Sequence, residues 1–210
     1  MTLIKWLLLV ALAMAAPCRA EAAIFRLLVL GDSIGAGYGL APQQSFPAQL
    51  ADDLKAAGVP VDIVDDSVSG DTSAGGLTRI GDALSRRPGA ILLELGANDA
   101  LRGIDPRVTY ANLDRILSQC DAMHVPVLIL GMKAPANWGH DYQTRFDAIY
   151  PRLAKAHQAL LYPFLLDGVA LDPALNQADL LHPNAAGAAA IARRLVPDVI
   201  RLTGGSTKAR

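Results

Sequence analysis

Short apolar runs alternate with longer amphipathic segments along most of the chain. The apolar runs cover residues 24–30, 61–64, 90–95 and 125–130, with a weaker run at 160–164. The segments between them, such as 46–57 and 110–123, carry apolar residues at helical spacing. Strands that alternate with helices predict βαβ units and a parallel sheet, and strands that are apolar throughout predict a sheet covered on both faces. The pattern therefore indicates a three-layer α/β domain.

This architecture predicts where functional side chains should lie. In open parallel sheets, ligands bind at the carboxyl ends of the strands. Polar residues and glycines follow the predicted strands at 31–33, 67–73, 96–99 and 131–139, and a further polar segment, 179–184, precedes a helix predicted over 185–199. We therefore expect these five segments to meet at one edge of the sheet.

The glycine-rich segment 31–39 (GDSIGAGYG) follows the first predicted strand. A dinucleotide fingerprint needs G-x-G-x-x-G, but Gly35 and Gly37 are followed at position 40 by leucine, so the spacing fails. The letters GDSIG also match the G-x-S-x-G elbow of α/β-hydrolases. That elbow normally follows several strands and an upstream oxyanion segment, whereas Ser33 follows the first strand. Taken alone, the segment is equally compatible with a turn that carries no chemistry.

Three further blocks accompany Ser33 in a fixed order. Ser33 lies in the block 31–34 (GDSI), and the three further blocks are Gly70, 96–99 (GAND) and 179–182 (DLLH). In this order they resemble the SGNH (GDSL) hydrolase family, and the segments 69–73, 95–103 and 135–139 are similar to its bacterial periplasmic thioesterase, lysophospholipase and arylesterase branch. Ile34 stands where the family motif has leucine, a small apolar exchange. The resemblance implies a flavodoxin-like αβα fold with a central five-stranded parallel sheet, over residues 21–203.

The resemblance makes Ser33 the nucleophile, His182 the general base and Asp179 the residue that orients His182. A serine hydroxyl needs a base within hydrogen-bond reach, and a carboxylate three residues before the histidine can fix its tautomer. His140 also lies near the expected site, and the sequence alone does not exclude it as the base. The structural alternative is that Asp179 and Asn184 only mark the start of the following helix.

The same resemblance assigns three oxyanion donors. They are the backbone N–H of Ser33, the backbone N–H of Gly70 and the side-chain amide of Asn98. Glycine lets a backbone N–H approach a ligand closely, and an amide is a neutral donor that does not titrate. A turn glycine and a loop-binding asparagine are the structural alternatives. Asp32 and Asp99 are interpreted as hydrogen-bonding residues that brace the loops.

The predicted substrate-binding residues are Pro135, Asn137 and Trp138, in a loop that is expected to close over an acyl chain. An ordinary connecting loop is the alternative interpretation. The resemblance implies a serine esterase or thioesterase that acts on aryl and other acyl esters, acyl thioesters and lysophospholipids. Two alternatives are a carbohydrate O-deacetylase of the same fold and a non-catalytic module that binds acyl chains or glycans.

Charge and composition limit the classes of molecule that this protein is expected to bind. The sequence has 19 basic and 20 acidic residues and no basic run that would mark a nucleic-acid site. No HExxH, CxxC or carboxylate cluster points to a metal, and we expect neither a metal nor a cofactor. The resemblance implies a small-molecule or lipid acyl ester or thioester as the partner, and we expect the protein to be a monomer. Cys120 falls in a helical pattern and is expected to be buried.

The two ends of the chain have their own compositions. Residues 1–20 combine Lys5, an apolar stretch at 6–16 and small residues beyond it, which predicts a cleaved secretory signal peptide and a periplasmic or secreted protein. The apolar stretch is shorter than the roughly 20 residues that span a bilayer, and a lipoprotein signal ending at Cys18 is the other alternative. Residues 204–210 (GGSTKAR) are predicted to form a flexible tail.

Overall fold

A five-stranded sheet runs through the computed structural model, which describes residues 25–204. The strands are β1 (Phe25–Gly31), β2 (Val61–Asp65), β3 (Ala90–Glu94), β4 (Val127–Leu130) and β5 (Leu160–Tyr162). Their order is β2-β1-β3-β4-β5, and every neighbouring pair is parallel. The predicted five-stranded parallel sheet is confirmed.

Within residues 25–204, seven α-helices connect or flank the strands. They are α1 (Phe46–Ala56), α2 (Ser73–Ser85), α3 (Ala97–Leu101), α4 (Pro106–Ala122), α5 (His140–Asp147), α6 (Ile149–His157) and α7 (Ala185–Leu202). Helix α1 packs against α7, while α2 packs against α4 and α4 against α6. The helices thus form two layers, one on each side of the sheet, and the predicted three-layer α/β fold is confirmed.

The core lies where consecutive strand residues are buried. In β1 the four residues from Leu27 to Leu30 are fully buried, and in β3 all five residues are buried, Glu94 included. Neighbouring residues of a strand point to opposite faces, so burial of both shows that helices cover both faces of the central strands. Cys120 is also fully buried, as predicted, and burial raises the pKa of its thiol to about 12.

Polar side chains fix where the main helices begin. Ser45, Thr72, Asp105 and Asn184 each accept a hydrogen bond from a backbone N–H in the first turn of the helix that follows. These contacts satisfy donors that a helix start leaves without an intrahelical partner. The cap at Asn184 starts α7 directly after the predicted catalytic block 179–182.

Two predictions fall on chain ends. The predicted signal peptide, residues 1–20, lies outside the described residues, and so does the predicted tail beyond residue 204. Within residues 25–204, no helix is both long enough and apolar enough to cross a membrane.

The strand order reverses direction beside β1. Strand β2 lies on one side of β1, and β3, β4 and β5 lie on the other. This is the switch point at which open α/β sheets form a crevice beyond the carboxyl ends of their strands. Ser33 follows β1 and Asn98 follows β3, so the two residues flank the crevice.

Candidate active site

Three of the predicted residues form one hydrogen-bonded chain. His182 Nε2 lies 3.0 Å from Ser33 Oγ, and His182 Nδ1 lies 2.7 Å from Asp179 Oδ2. Ser33 comes from the loop after β1, whereas Asp179 and His182 come from the segment before α7. The chain has the geometry in which an imidazole can take a proton from a serine hydroxyl.

Asp179 is held by its own turn. Its Oδ1 accepts the backbone N–H of Leu181 at 2.9 Å and that of His182 at 3.0 Å, while Oδ2 accepts from the His182 ring. The backbone N–H of His182, its ring and the N–H of Leu181 together lower the pKa of Asp179 to about 2. The carboxylate is therefore ionised at neutral pH, which favours the His182 tautomer that carries its proton on Nδ1 and leaves Nε2 free for Ser33.

The segment that carries His182 is fastened to the loop after β1. The Gln177 side chain donates from Nε2 to the Tyr38 carbonyl at 2.6 Å, and the Gln177 N–H donates to the His182 carbonyl at 2.8 Å. The Tyr38 ring packs against the His182 ring with 4.7 Å between centroids. These contacts hold the imidazole at the serine even though 149 residues separate them in sequence.

The loop that presents Ser33 is supported from below by a buried carboxyl group. Glu94 Oε2 accepts the N–H of Asp32 at 2.9 Å and the N–H of Gly35 at 3.0 Å, on either side of Ser33. Asp32 Oδ1 accepts the N–H of Ile34 at 3.0 Å. A Cβ at position 35 would lie only 2.2 Å from Ser67 Oγ, so this close packing requires glycine. The second glycine of GDSIG therefore serves packing and not phosphate binding.

The three predicted oxyanion donors lie at the ends of β1, β2 and β3. Ser33 and Asn98 line the same groove, and Asn98 Nδ2 donates to Asp32 Oδ2 at 3.0 Å. Gly70 has a φ of +82°, a left-handed conformation that favours glycine, and its carbonyl accepts from Arg102 Nη2 at 2.8 Å. Gly70 itself does not line the groove.

Asp99 braces the same region, in agreement with the interpretation from sequence. Its carboxylate is fully buried and accepts the Ser73 N–H at 2.8 Å, the Ser73 hydroxyl and the Thr109 hydroxyl at 3.1 Å. These contacts join α3 to the starts of α2 and α4. The start of α2, which follows the loop that carries Gly70, is thereby joined to α3, which carries Asn98.

A groove of about 370 Å³ extends from Ser33 toward β4 and β5. Its lining is mainly apolar and consists of Ser33, Ile34, Ala97, Asn98, Ala100, Leu101, Met132, Lys133, Ala134, Pro135, Ala136, Phe164, Leu166, Ala170, Leu171, Leu180, Leu181 and His182. Two leucines at its outer edge, Leu171 and Leu180, have left-handed φ angles of +65° and +56°. Leu171 is 70% exposed. A β-carbon is strained in this conformation, so the outer edge is built at a cost in stability.

The predicted substrate-binding residues take three different positions. Pro135 lines the groove, whereas the exposed Asn137 does not. Trp138 donates from its indole Nε1 to the Ala100 carbonyl at 2.8 Å and thus packs beside the groove wall without lining it. His140, the alternative base, begins α5 and makes no hydrogen bond to Ser33, whose imidazole contact is His182.

Sequence reasoning did not single out Glu94 or Tyr38. Glu94 had a usable signal, because it is a charged residue within an apolar strand. Tyr38 had none, since its contact with the His182 ring depends on how distant segments meet. Within residues 25–204, no group of three or more His, Cys, Asp or Glu side chains is arranged to hold a metal ion.

Comparison with known proteins places these features in a family. The model of the GDSL-like lipase/acylhydrolase family matches residues 29–190, which include Ser33, Asn98, Asp179 and His182. The chain belongs to this family. The matched range spans all four sequence blocks, so the resemblance that they indicated is confirmed.

Relatives within the GDSL-like family carry esterase and thioesterase names. The chain is 40% identical over 159 residues to an arylesterase of Vibrio mimicus. The aligned residues make up 75% of this chain and 80% of the relative. It is 41% identical over 164 residues to thioesterase 1/protease 1/lysophospholipase L1 of Escherichia coli K12. This alignment covers 78% of this chain and 77% of the relative. The crystal structure of TesA superposes with a TM-score of 0.80 at 37% identity and covers 84% of this chain and 99% of TesA.

Proposed function

We propose that this GDSL-like protein is a serine esterase and thioesterase, which hydrolyses acyl esters and acyl thioesters, lysophospholipids among them. The observation that carries the proposal is the Ser33–His182–Asp179 hydrogen-bonded chain at the end of an apolar groove. The names of the relatives, arylesterase and thioesterase 1/protease 1/lysophospholipase L1, support the same class of reaction.

The first half of the reaction forms an acyl-enzyme. Ser33 Oγ attacks the carbonyl carbon of the substrate while His182 Nε2 takes the hydroxyl proton. The negative charge that develops on the carbonyl oxygen is stabilised by the N–H groups of Ser33 and Gly70 and by the Asn98 amide. His182 then gives its proton to the departing alcohol or thiol, and the acyl group stays on Ser33.

The second half returns the enzyme to its starting state. A water molecule takes the place of the leaving group, His182 Nε2 accepts its proton, and the oxygen attacks the acyl carbon. Collapse of this second intermediate releases the carboxylic acid, and the proton on His182 returns to Ser33 Oγ. Asp179 stays ionised throughout and stabilises the positively charged imidazole.

The groove supports an acyl chain as the recognised part of the substrate. Burial of a methylene group stabilises binding by about 0.8 kcal/mol, so an apolar wall favours longer acyl chains over acetate. The groove wall includes Met132, Phe164 and Leu166, which offer no hydrogen-bonding groups to a sugar. This disfavours the carbohydrate O-deacetylase.

The test is hydrolysis of a p-nitrophenyl ester series from acetate to palmitate, with acyl thioester and lysophospholipid substrates beside it. We expect Ser33→Ala and His182→Ala each to lower kcat by at least about 10³-fold, while His140→Ala keeps near wild-type rates. Hydrolysis that survives Ser33→Ala at the wild-type rate would exclude the mechanism. Activity confined to acetyl esters would instead favour the deacetylase.

We further propose that residues 1–20 direct export and that the processed chain acts as a monomer in the periplasm or outside the cell. The composition of residues 1–20 supports the first part. N-terminal sequencing of protein from a fractionated expression host tests it, and retention of residues 1–20 in the mature protein would contradict it. Size-exclusion chromatography with light scattering tests the monomer.

A further inference from the structure

One contact in the site joins the residue before the nucleophile to the proposed oxyanion amide. Asp32 Oδ2 accepts a hydrogen bond from Asn98 Nδ2 at 3.0 Å, across 66 residues of sequence. Asp32 is fully buried, and its other oxygen accepts the N–H of Ile34. Asp32 therefore contacts both sides of the site, the serine loop and the amide, without lining the groove itself.

A carboxylate at this place decides which way the amide of Asn98 faces. The oxygen and nitrogen of an asparagine side chain have nearly the same shape, so packing hardly distinguishes the two orientations. An ionised carboxylate accepts hydrogen bonds and donates none, so it attracts Nδ2 and repels Oδ1. One N–H of Nδ2 is used by Asp32, and the second is left for the groove that Asn98 and Ser33 share.

The negative charge of the local carboxyl pair belongs on Asp32. Glu94 is fully buried, and burial first, then the charge of Asp32, raises its pKa well above the ordinary value. Burial also raises the pKa of Asp32, but hydrogen bonds from the Ile34 N–H, from the Glu94 carboxyl group and from the Asn98 amide act in the opposite direction. The pKa of Glu94 is raised further than that of Asp32, so Glu94 is the member of the pair that takes up a proton first.

We propose that Asp32 is a positioning residue, which holds the Asn98 amide in the orientation that presents an N–H to the oxyanion. The inference rests on the proposed function, because it takes Asn98 as an oxyanion donor. With Asp32 uncharged or absent, the amide can rotate and turn its Oδ1 toward the groove. An oxygen there would repel the developing negative charge that the nitrogen stabilises. Asp32 thus acts through Asn98 and not on the substrate.

The alternative is that Asp32 only braces the serine loop. Both roles use the same side chain, but they differ in which atom matters: Oδ1 serves the loop through Ile34, and Oδ2 serves the amide. Asp32→Asn separates them. The new side chain keeps an oxygen for the Ile34 N–H and replaces the second oxygen by an NH₂ group, which accepts nothing from Asn98 and prefers its Oδ1.

The experiment is a double-mutant cycle with Asp32→Asn, Asn98→Ala and the double variant, assayed on a p-nitrophenyl ester. We expect Asn98→Ala to lower kcat by about 10²–10³-fold, the usual loss for one oxyanion donor, and Asp32→Asn by about 10–10²-fold, with KM changed less than about threefold. We expect the double variant to match Asn98→Ala within about threefold, because Asp32 has no further role once the amide is gone.

Two controls keep the cycle interpretable. Asp65→Asn is the matched change, because Asp65 also accepts a backbone N–H two residues on, from Ser67, but makes no hydrogen bond to Asn98. We expect it to keep wild-type kcat. Titration of Ser33 with an aryl phosphonate, run to completion, gives kcat per reactive serine, so a variant that folds in poor yield is still measured correctly.

The outcomes separate the inference from the proposed function. Losses that multiply in the double variant, or an Asp32→Asn enzyme with unchanged kcat, would overturn the positioning role while leaving the Ser33 mechanism intact. An unchanged kcat in Asn98→Ala would remove Asn98 from the oxyanion donors, and the inference with it. A Ser33→Ala enzyme with full activity would overturn the proposed function as a whole.

Discussion

At the scale of single residues, Asp179 combines an exposed position with a firmly held charge. Two backbone N–H groups and the His182 ring bind its carboxylate and lower its pKa to about 2. A lowered pKa means that the stabilising charge is present above the unfolded value near 3.9 and is lost only as the pH falls toward 2. Loss of activity between pH 7 and pH 5 will therefore not come from Asp179.

We predict that Asp179→Asn lowers kcat by about 10²–10⁴-fold with little change in KM. An amide can donate to Nδ1 and stabilise the His182 tautomer whose Nε2 carries the proton, which cannot accept one from Ser33. Steady-state kinetics on p-nitrophenyl butyrate measure the loss. Asp172→Asn is the matched control, since Asp172 also accepts a backbone N–H two residues on but has no histidine partner. A variant at position 179 that retains a tenth of the kcat would contradict the prediction.

Ser33, Asp179 and His182 could be predicted as neighbours because their motifs resemble the SGNH family and because they lie in polar segments next to predicted strands and a predicted helix. The polar segments alone did not exclude His140 as the base. The contacts that support the serine loop could not be predicted in this way. Glu94 lies 62 residues from its partner Asp32, and Asn98 lies 66 residues from the same aspartate. Such contacts depend on strand order and register, which local patterns do not encode. Only the charge inside an apolar strand hinted at Glu94.

At the scale of helices, a histidine joins α6 to α4. His157 on α6 lies between two aspartates of α4, with Nδ1 2.6 Å from Asp121 and Nε2 3.1 Å from Asp114. Burial lowers the pKa of His157, but the hydrogen bonds that its ring donates to the two carboxylates outweigh this effect, and the net pKa is raised. The protonated ring therefore forms ion pairs in the folded protein that the unfolded chain lacks.

We predict that His157→Gln destabilises the protein more at pH 6 than at pH 9. A raised folded pKa gives stability that is full below the unfolded value near 6.5 and is lost as the pH rises through the folded value. The carboxylates are partly exposed, so the effect is about 1 kcal/mol or less, or about 2–4 °C in Tm. Thermal melts at both pH values measure it, with the exposed His140→Gln as control. An equal loss at both pH values would contradict the ion-pair account.

Helix and strand boundaries show where local patterns are sufficient. Helix α1 was predicted over 46–57 and spans Phe46–Ala56. Its start agrees with the prediction because the adjacent Ser45 caps it. Helix α4 begins at Pro106, four residues before the apolar pattern at 110, since Asp105 and Pro106 form a helix start that precedes the amphipathic part. Strand β5 is two residues shorter than predicted, and it lies at the edge of the sheet with a single neighbour.

At the scale of the whole molecule, the catalytic geometry is assembled from the two ends of the domain. Ser33 follows the first strand, and His182 precedes the last helix, yet Gln177 and Tyr38 tie these ends together directly. Helices α1 and α7, which follow the two segments, pack against each other on the same face of the sheet. The hydrogen bond between Ser33 and His182 therefore requires the complete fold, and partial unfolding of either end breaks it.

We predict that Leu171→Asn stabilises the protein while impairing hydrolysis of long-chain esters. Asparagine tolerates the left-handed φ of +65°, which relieves strain of about 1 kcal/mol, and little buried apolar area is lost at a side chain that is 70% exposed. We expect Tm to rise by about 2–4 °C, and kcat/KM to fall several-fold for palmitate but not for acetate. Melting curves and the ester series test both parts.

Met123→Asn is the control for the loss of an exposed apolar side chain, because Met123 is also exposed and does not line the groove. We expect it to leave the chain-length profile unchanged. A lower Tm in Leu171→Asn would contradict the strain at this position, and an unchanged palmitate rate would remove Leu171 from the acyl path.

The two left-handed leucines also bear on how such an enzyme would change under selection. Leu171 and Leu180 are strained and exposed, so substitution by glycine, asparagine or aspartate at either position relieves strain without disturbing the core. A screen for thermal stability alone would therefore select substitutions at these two positions first. The selected variants would keep Ser33, His182 and Asp179 and still hydrolyse short-chain esters. Their activity on long-chain esters would fall.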